Sequence, residues 1–358
     1  MKISRTLRDA KFALCVPLLL AAGCMAQSPT SSATPVGWRT ECVGLHSVDL
    51  PADFKPTEQY LSYPVGVIVN GNNQGFDLPV ASGSRVTVDE FRKLEGELYE
   101  AYEKIIRRAL RDARIYSRLE RSAEAKAFAD SIKSYPLHTP ESIGRTFGRL
   151  IYGHFYLSNR VYSLAGAQQG KAEAGELTFE EKVKLFRPRE LFEVPSGMGL
   201  CLPFSFIETT NRGRYERILE SGVLEAHPDI EVFISDAGDD PTVQRTEKEN
   251  RELIRDRLKV FWEQQPGIKQ VRALKWPFPA VKMANYEGYS SLVEITRPNG
   301  NIDYGFRAIA NPQGAWDSID VYVIQRSDVA RQKKIPPLTK DEFKQMADAI
   351  VSSLRKRH

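Results

Sequence analysis

Gly288-Tyr-Ser-Ser-Leu-Val-Glu-Ile-Thr296 and Asn301-Ile-Asp-Tyr-Gly-Phe-Arg-Ala-Ile309 stand on either side of Pro298-Asn299-Gly300. Both runs are rich in β-branched and aromatic residues, and a turn built on Asn-Gly supplies the backbone twist of a hairpin, so they read as paired antiparallel strands. Ser318 to Gln325 continues the same texture as a third strand. A final helix is expected from Thr339, with Phe343, Met346, Ala347, Ile350 and Leu354 facing inward. It ends on Arg355-Lys356-Arg357, whose positive charge suits a helix C-terminus.

Working toward the N-terminus, Leu200 to Ile207 and Ile230 to Ile234 read as strands, followed by a helix from about Pro241 to Glu263 carrying Leu253, Ile254, Leu258 and Phe261. Pro188 and Pro195-Ser196-Gly197 mark the best boundary. Before it, Cys42 to Leu50 reads as a strand ended by Pro51, and Val65 to Val69 as another. A long helix is expected from an N-cap at Thr87 or Asp89, with Phe91, Leu94, Leu98, Tyr102, Ile105, Ala109 and Ala113 on one face. A basic stripe (Lys104, Arg107, Arg111, Arg114, Arg118, Arg121) lies on another, most simply a solvated face laced to nearby glutamates. Arg149 to Leu164 is aromatic and β-branched, with Ser158-Asn159 as a hairpin turn, and a further helix is expected from Thr178 to Phe186. The expected class is α+β in two domains, 40–194 and 195–358, each a mainly antiparallel sheet packed with helices.

The first residues are of a different kind. Lys2, Arg5, Arg8 and Lys11 precede the apolar run 12–24, which ends in Leu20-Ala21-Ala22-Gly23-Cys24. The run is too short to cross a bilayer and is preceded by basic residues, as in an export signal, and small residues before a cysteine fit lipoprotein processing. Residues 1–23 are therefore expected to be removed, with acyl chains on Cys24 holding the protein at a membrane. The alternative is an ordinary signal peptide ending by chance in cysteine. Met25 rather than aspartate after Cys24 points to the inner leaflet of the outer membrane, with the domain facing the periplasm. Residues 24–39 are small, polar and proline-rich, and read as a flexible tether.

Removing 1–23 leaves 335 of 358 residues, and the formal charge falls from +4 to +1. Nucleic acid is not an expected partner. No later stretch approaches twenty apolar residues, so the lipid is the expected membrane attachment. Of four cysteines, Cys15 leaves with the signal and Cys24 carries lipid, so in an oxidising compartment Cys42 and Cys201 are the pair available for a disulfide. The alternative is two buried thiols.

The search for chemistry returns no catalytic pattern. No serine stands in a Gly-x-Ser-x-Gly elbow, Gly166-Ala-Gln-Gln-Gly170-Lys171-Ala172 lacks the spacing and hydroxyl of a phosphate loop, and His46, His138, His154, His227 and His358 are scattered singly. Neither a metal nor a cofactor is expected. The acidic turn Ser235-Asp236-Ala237-Gly238-Asp239-Asp240 lacks the ligand pattern of a calcium loop. It reads as a helix N-cap before Pro241, or as a partner contact through Asp236, Asp239 and Asp240. Trp262, Trp276, Phe278 and Trp316 are candidate interface anchors, with core packing the simpler reading of each. Trp276-Pro277-Phe278-Pro279 is the most telling, because a proline-bracketed aromatic turn cannot be a central strand.

The lipoprotein signal, Cys42-Val43-Gly44 leading to Asp49-Leu50-Pro51, and Gly197-Met198-Gly199-Leu200-Cys201 together resemble the Tle cognate immunity protein 4 family. Glu287-Gly288-Tyr289 echoes its glycine-rich strand. The resemblance implies a non-catalytic, periplasmic, two-domain α+β protein. It implies as partner a type VI secreted phospholipase, bound by a monomer in a heterodimeric complex and inhibited by occlusion of its active site. The alternative function is an envelope assembly or maintenance lipoprotein acting as a non-catalytic binding module.

Overall fold

The computed structural model describes residues 34–63, 66–70, 87–91, 93, 104, 111, 134–139, 142–147, 150–167, 184, 186–202, 204–208, 217–237, 246–264, 267–311 and 318–357. In chain order the early strands are β1 (Trp38–Val43), β2 (His46–Pro51), β3 (Phe54–Tyr63), β4 (Gly66–Asn70), β5 (Ser134–Thr139), β6 (Ser142–Phe147), β7 (Leu150–Leu157) and β8 (Arg160–Ala167). Next come β9 (Phe186–Pro188), β10 (Gly199–Leu202), β11 (Ser205–Glu208), β12 (Arg217–Leu224) and β13 (Ile230–Ala237). The last are β14 (Gln270–Ala273), β15 (Ala280–Met283), β16 (Tyr286–Thr296), β17 (Ile302–Ala310), β18 (Ser318–Gln325) and β19 (Arg355–Lys356). Helices α1 (Glu247–Glu263), α2 (Ser327–Lys333) and α3 (Lys340–Ser353) lie in the second half.

The hairpin around residue 299 joins β16 to β17, with Thr296 opposite Ile302 and Gly300 at φ +84°. Ser158 and Asn159, at φ 47° and 63°, make the equally tight turn between β7 and β8. Positive φ at both residues is what a two-residue hairpin needs to match strand twist. The long sheet runs β14-β16-β17-β18-β13-β12-β3-β4-β8-β7-β6-β5, and β15 pairs with β16 beside β14. Every pairing in it is antiparallel. This supports the α+β class. The sheet takes strands from both sides of Pro195, joined through the β12–β3 pair, so the pairing does not confirm a division into two domains there.

Two three-stranded sheets complete the strands, β1-β2-β19 and β10-β11-β9. Cys42 to Leu50 is therefore two strands and not one. Gly44 turns the chain at φ +58°, a conformation that favours glycine. Leu200 to Ile207 is likewise a hairpin, with Leu202 opposite Ser205 and Phe204 at φ +64°. Pro203 lacks the N–H that an unbroken central strand requires.

β17 distributes its side chains between two helices by simple alternation. Phe306, Ala308 and Ala310 join Phe343, Ala347 and Ile350 of α3 in the main core, which also takes in Val48, Leu50, Phe54, Leu200 and Ile218. Fully burying a side chain such as Phe343 or Ile218 contributes roughly 1.5–3 kcal/mol. On the other face Ile309 meets Ile254 and Leu258 of α1, while Val293 and Ile295 of β16 receive Trp262. Thr339 caps α3 through a reciprocal box with Glu342, as the periodicity places it. Arg355 and Lys356 do not simply trail from that helix: they form β19 against Ser47 and His46. A long-range contact holds them there, since Arg355 Nη2 donates to the buried Asp49 carboxylate at 3.0 Å.

Thr87 is the N-cap of the helix that follows it, accepting from Glu90 N while Glu90 Oε2 accepts from Thr87 N. Phe91 in that first turn is buried and stacks on Tyr156 of β7 at 5.3 Å. Lys104 and Arg111 are helical and exposed, and the rest of the basic stripe lies outside the described residues. So does most of the helix expected at 178–186, whose final residue, Phe186, opens β9.

Candidate partner-binding site

α1 begins at Glu247 and not near Pro241, because Thr246 accepts from Glu249 N and Glu249 reaches back to Thr246 N, a complete capping box. Its Ile254, Leu258 and Trp262, spaced four apart, form one buried stripe. Trp262 lies against the backbone of Gly305, where an added Cβ would stand 2.4 Å from its ring, and its Nε1 donates to Ser291 Oγ at 2.8 Å. The helix is thereby pinned across the end of the long sheet.

β14 and β15 share one neighbour. β14 pairs with the C-terminal half of β16 and β15 with its N-terminal half. Leu274 N donates to Leu292 O and Ser290 N to Pro279 O, both at 2.9 Å, so the chain rejoins the sheet on each side of residues 275–278. Prolines 277 and 279 cannot supply ladder donors, and the intervening segment stands off the edge as a loop. Its two rings have different surroundings. Phe278 is buried on Ile254, Leu258 and Ile309, while Trp276 is 69% exposed, meeting Phe278 edge-on at 4.9 Å. The expectation that this turn is not a central strand matches the geometry, and the pair forms an anchored aromatic projection.

A hollow flanks each side of the projection. One, of about 750 Å³, lies between the first half of α1 and β15–β16, with Asn250, Arg251, Tyr286, Glu287, Tyr289 and Asn311 in its wall. Its charges are largely satisfied: Arg251 pairs with Glu247 and Glu287, and Arg255 donates to Tyr289 Oη at 3.2 Å. Asn311 donates to Asn250 Oδ1 at 2.7 Å. The other, of about 660 Å³, lies between the second half of α1 and β14, with Leu258, Lys259, Trp262, Lys269, Val271 and Trp276 in its wall.

The remaining candidates are placed differently. Asp236, expected at a partner surface, is only 1% exposed; it accepts from Leu45 N at 2.7 Å and from His46 Nδ1 at 3.0 Å. That carboxylate locks the β1–β2 turn from within and offers no surface contact. Asp239, Asp240, Trp316 and Cys24 lie outside the described residues. Trp262 is a core residue. Among the described residues no three or more His, Cys, Asp and Glu side chains are grouped to hold a metal ion, and no helix is long and apolar enough to cross a membrane.

Cys42 and Cys201 are joined in a disulfide, with Cα atoms 5.6 Å apart. It ties the β1 sheet to the β10 sheet where Gly44 and Cys201 also bond backbone to backbone. The sequence reading missed what surrounds it. Arg189 Nη2 donates to Glu41 Oε1 and Cys42 O, its Nη1 to Glu190 O and Glu193 O, and its Nε to Leu202 O. Arg357 Nη1 donates to Cys201 Sγ at 2.8 Å. Glu220, fully buried, has both carboxyl oxygens without a hydrogen-bond partner among the described residues. Burial and the nearby Glu41 push its carboxyl well above the ordinary value, with Arg189 opposing. The available signal was a single charge inside an apolar alternation, as in Leu219-Glu220-Ser221-Gly222-Val223.

This α+β architecture, with an interior ion pair and an aromatic projection on a sheet edge, has a fold also found in solved immunity proteins of the type VI secretion system. The chain is similar to immunity protein TplEi of the T6SS from Pseudomonas aeruginosa complexed with "L" peptide, at 16% identity over 90% of this chain and 99% of that chain, with a TM-score of 0.53. It is similar to the crystal structure of the Tle4–Tli4 complex at 16% identity over 90% and 98%, with a TM-score of 0.54. The apo form of TplEi gives 15%, 90%, 97% and 0.50. No family model and no curated protein matches the sequence.

Proposed function

We propose that this chain is the immunity partner of a type VI secreted phospholipase, binding it one to one and occluding its active site without catalysis of its own. The observation that carries the reading is the extent of the likeness: 90% of this chain overlays 98–99% of chains described as immunity proteins or as part of the Tle4–Tli4 complex. A resemblance in fold alone would serve other binding roles. The Cys42-Val43-Gly44 and Gly197-to-Cys201 motifs add sequence support for this one.

Placement follows from residues 1–24. Lipid on Cys24 holds the protein at the inner leaflet of the outer membrane, and the tether lets the folded part meet an incoming phospholipase in the periplasm before it reaches its substrate. Labelling with a palmitate analogue checks the anchor, since Cys24→Ser abolishes incorporation if the thiol is acylated.

The deciding experiment measures phospholipid hydrolysis by the phospholipase encoded beside this gene, titrated with periplasmically produced, unlipidated protein starting at Gln27. Activity is expected to fall linearly to zero at one equivalent. Unchanged activity at tenfold excess would remove the immunity reading.

A further inference from the structure

We infer that the outer edge of β14, beneath Trp276, receives an extended acidic segment of the effector as an added strand. This rests on the immunity reading and names the surface through which it operates.

β14 is the terminal strand of the long sheet, and among the described residues no strand pairs with its outer side. Leu274 N is spent on Leu292 O, and Ala273 lies opposite Val293. Because ladder bonds alternate along an antiparallel strand, Val271 and Ala273 direct their N–H and C=O groups away from β16, where an incoming backbone can pair with them. Alternate side chains of that strand would enter the hollow of about 660 Å³ floored by Leu258 and Trp262, against Trp276.

Charge selects the segment. Lys259, Lys269 and Lys275 are exposed around this edge and have no carboxylate partner among the described residues. Arg272 is held by Glu294, and among the described residues Glu263 is the one carboxylate in the hollow's wall. An acidic strand is therefore favoured over a basic one. A short strand ringed by lysines is also how proteins blunt an edge against aggregation. Blunting, however, does not place a large apolar ring in water beside that edge. Trp276 stays 69% exposed although its neighbour Phe278 has a buried berth. An exposed indole within a cationic rim has the composition of an interface anchor.

The test compares wild type with Trp276→Ala, Ala273→Pro and the triple reversal Lys259→Glu, Lys269→Glu, Lys275→Glu in effector titrations, with thermal unfolding as the control for folding. Each is expected to weaken binding at least roughly tenfold, and the deficit of the triple reversal should shrink at high salt. Ala273→Pro removes an N–H that the internal ladder does not use. Should it misfold, the lysine reversal reads the same surface with the backbone intact. Hydrogen exchange gives a direct signature, because the Val271 and Ala273 amides are expected to gain protection on adding effector. Wild-type inhibition with unchanged affinity in the folded variants and no protection at β14 overturns the docking inference and leaves the immunity reading standing. Failure of wild type itself removes both.

Discussion

Arg189 meets Glu41 at 2.5 Å with side chains 1% and 0% exposed, which makes this ion pair part of the interior. Glu41 Oε2 also accepts from Phe192 N, so the carboxylate fixes the 189–193 loop as well as the guanidinium. Removing one partner of such a pair strands the other in a medium that solvates it poorly. Arg189→Ala is expected to lower stability by roughly 3–5 kcal/mol in urea unfolding. Arg189→Lys should restore only part of this, since one ammonium cannot reach the carbonyls of Cys42, Glu193 and Leu202 together. A loss below about 1 kcal/mol, the scale of an exposed pair, would show that the site is wet.

The Cys42–Cys201 bond spans 159 residues, and cross-linking a loop that long restricts the unfolded chain by at most roughly 5 kcal/mol before strain. The double variant Cys42→Ser, Cys201→Ser should unfold at clearly lower urea, and dithiothreitol should move wild type to the same midpoint while leaving the variant unmoved. Equal midpoints for oxidised wild type and the variant would mean that the bond constrains nothing.

Glu220 and Asp49 give stability opposite slopes with pH. The folded Glu220 keeps a proton that the unfolded chain releases above about 4.5, so stability falls as pH rises from there until the raised folded value is passed. Glu220→Gln should therefore gain on wild type as pH rises from 4.5 to 8. For Asp49 burial acts to raise the carboxyl, but hydrogen bonds from Arg355, Thr40 and Thr34 and the Arg355 charge outweigh it and hold the value below 3.8. Its contribution is complete above 3.8 and is lost as pH falls through the folded value; Asp49→Asn should remove that acid limb from a urea-midpoint profile.

At Gly44 a Cβ would lie 2.1 Å from Asp236 Oδ2, with the backbone at φ +58°. Gly44→Ala must displace a buried carboxylate and strain the turn, a combined penalty of roughly 2–4 kcal/mol. Gly300→Ala, also at positive φ but facing open space, is the control, expected to lose only about 1 kcal/mol. Equal losses would show that the Asp236 contact is immaterial.

Local signals in the sequence located the elements that local chemistry determines. Asn299-Gly300 and Ser158-Asn159 were readable as turns because only certain residues tolerate those backbone angles, and Thr339 because its box partner Glu342 stands three residues on. The period of α3 correctly placed Phe343, Ala347 and Ile350 inside. Non-local relationships were not readable. Nothing near Arg217 announces that β12 will pair with Phe54–Ser62, and nothing near Glu41 names Arg189. Of the proposed contacts, the aromatic turn was legible through its prolines, whereas Asp236 was misread as surface because its partners, Leu45 and His46, lie 190 residues away. The edge beside Trp276, unpaired among the described residues, becomes visible only once the order of strands is known.

β19 gives the molecule a temporal property as well as a spatial one. β2 pairs on its second side with a strand far along the chain, Arg355 standing opposite Ser47 at a separation of 308 residues. The β1–β2 hairpin must stay one strand short until that distant partner docks, and contacts of such long separation form late.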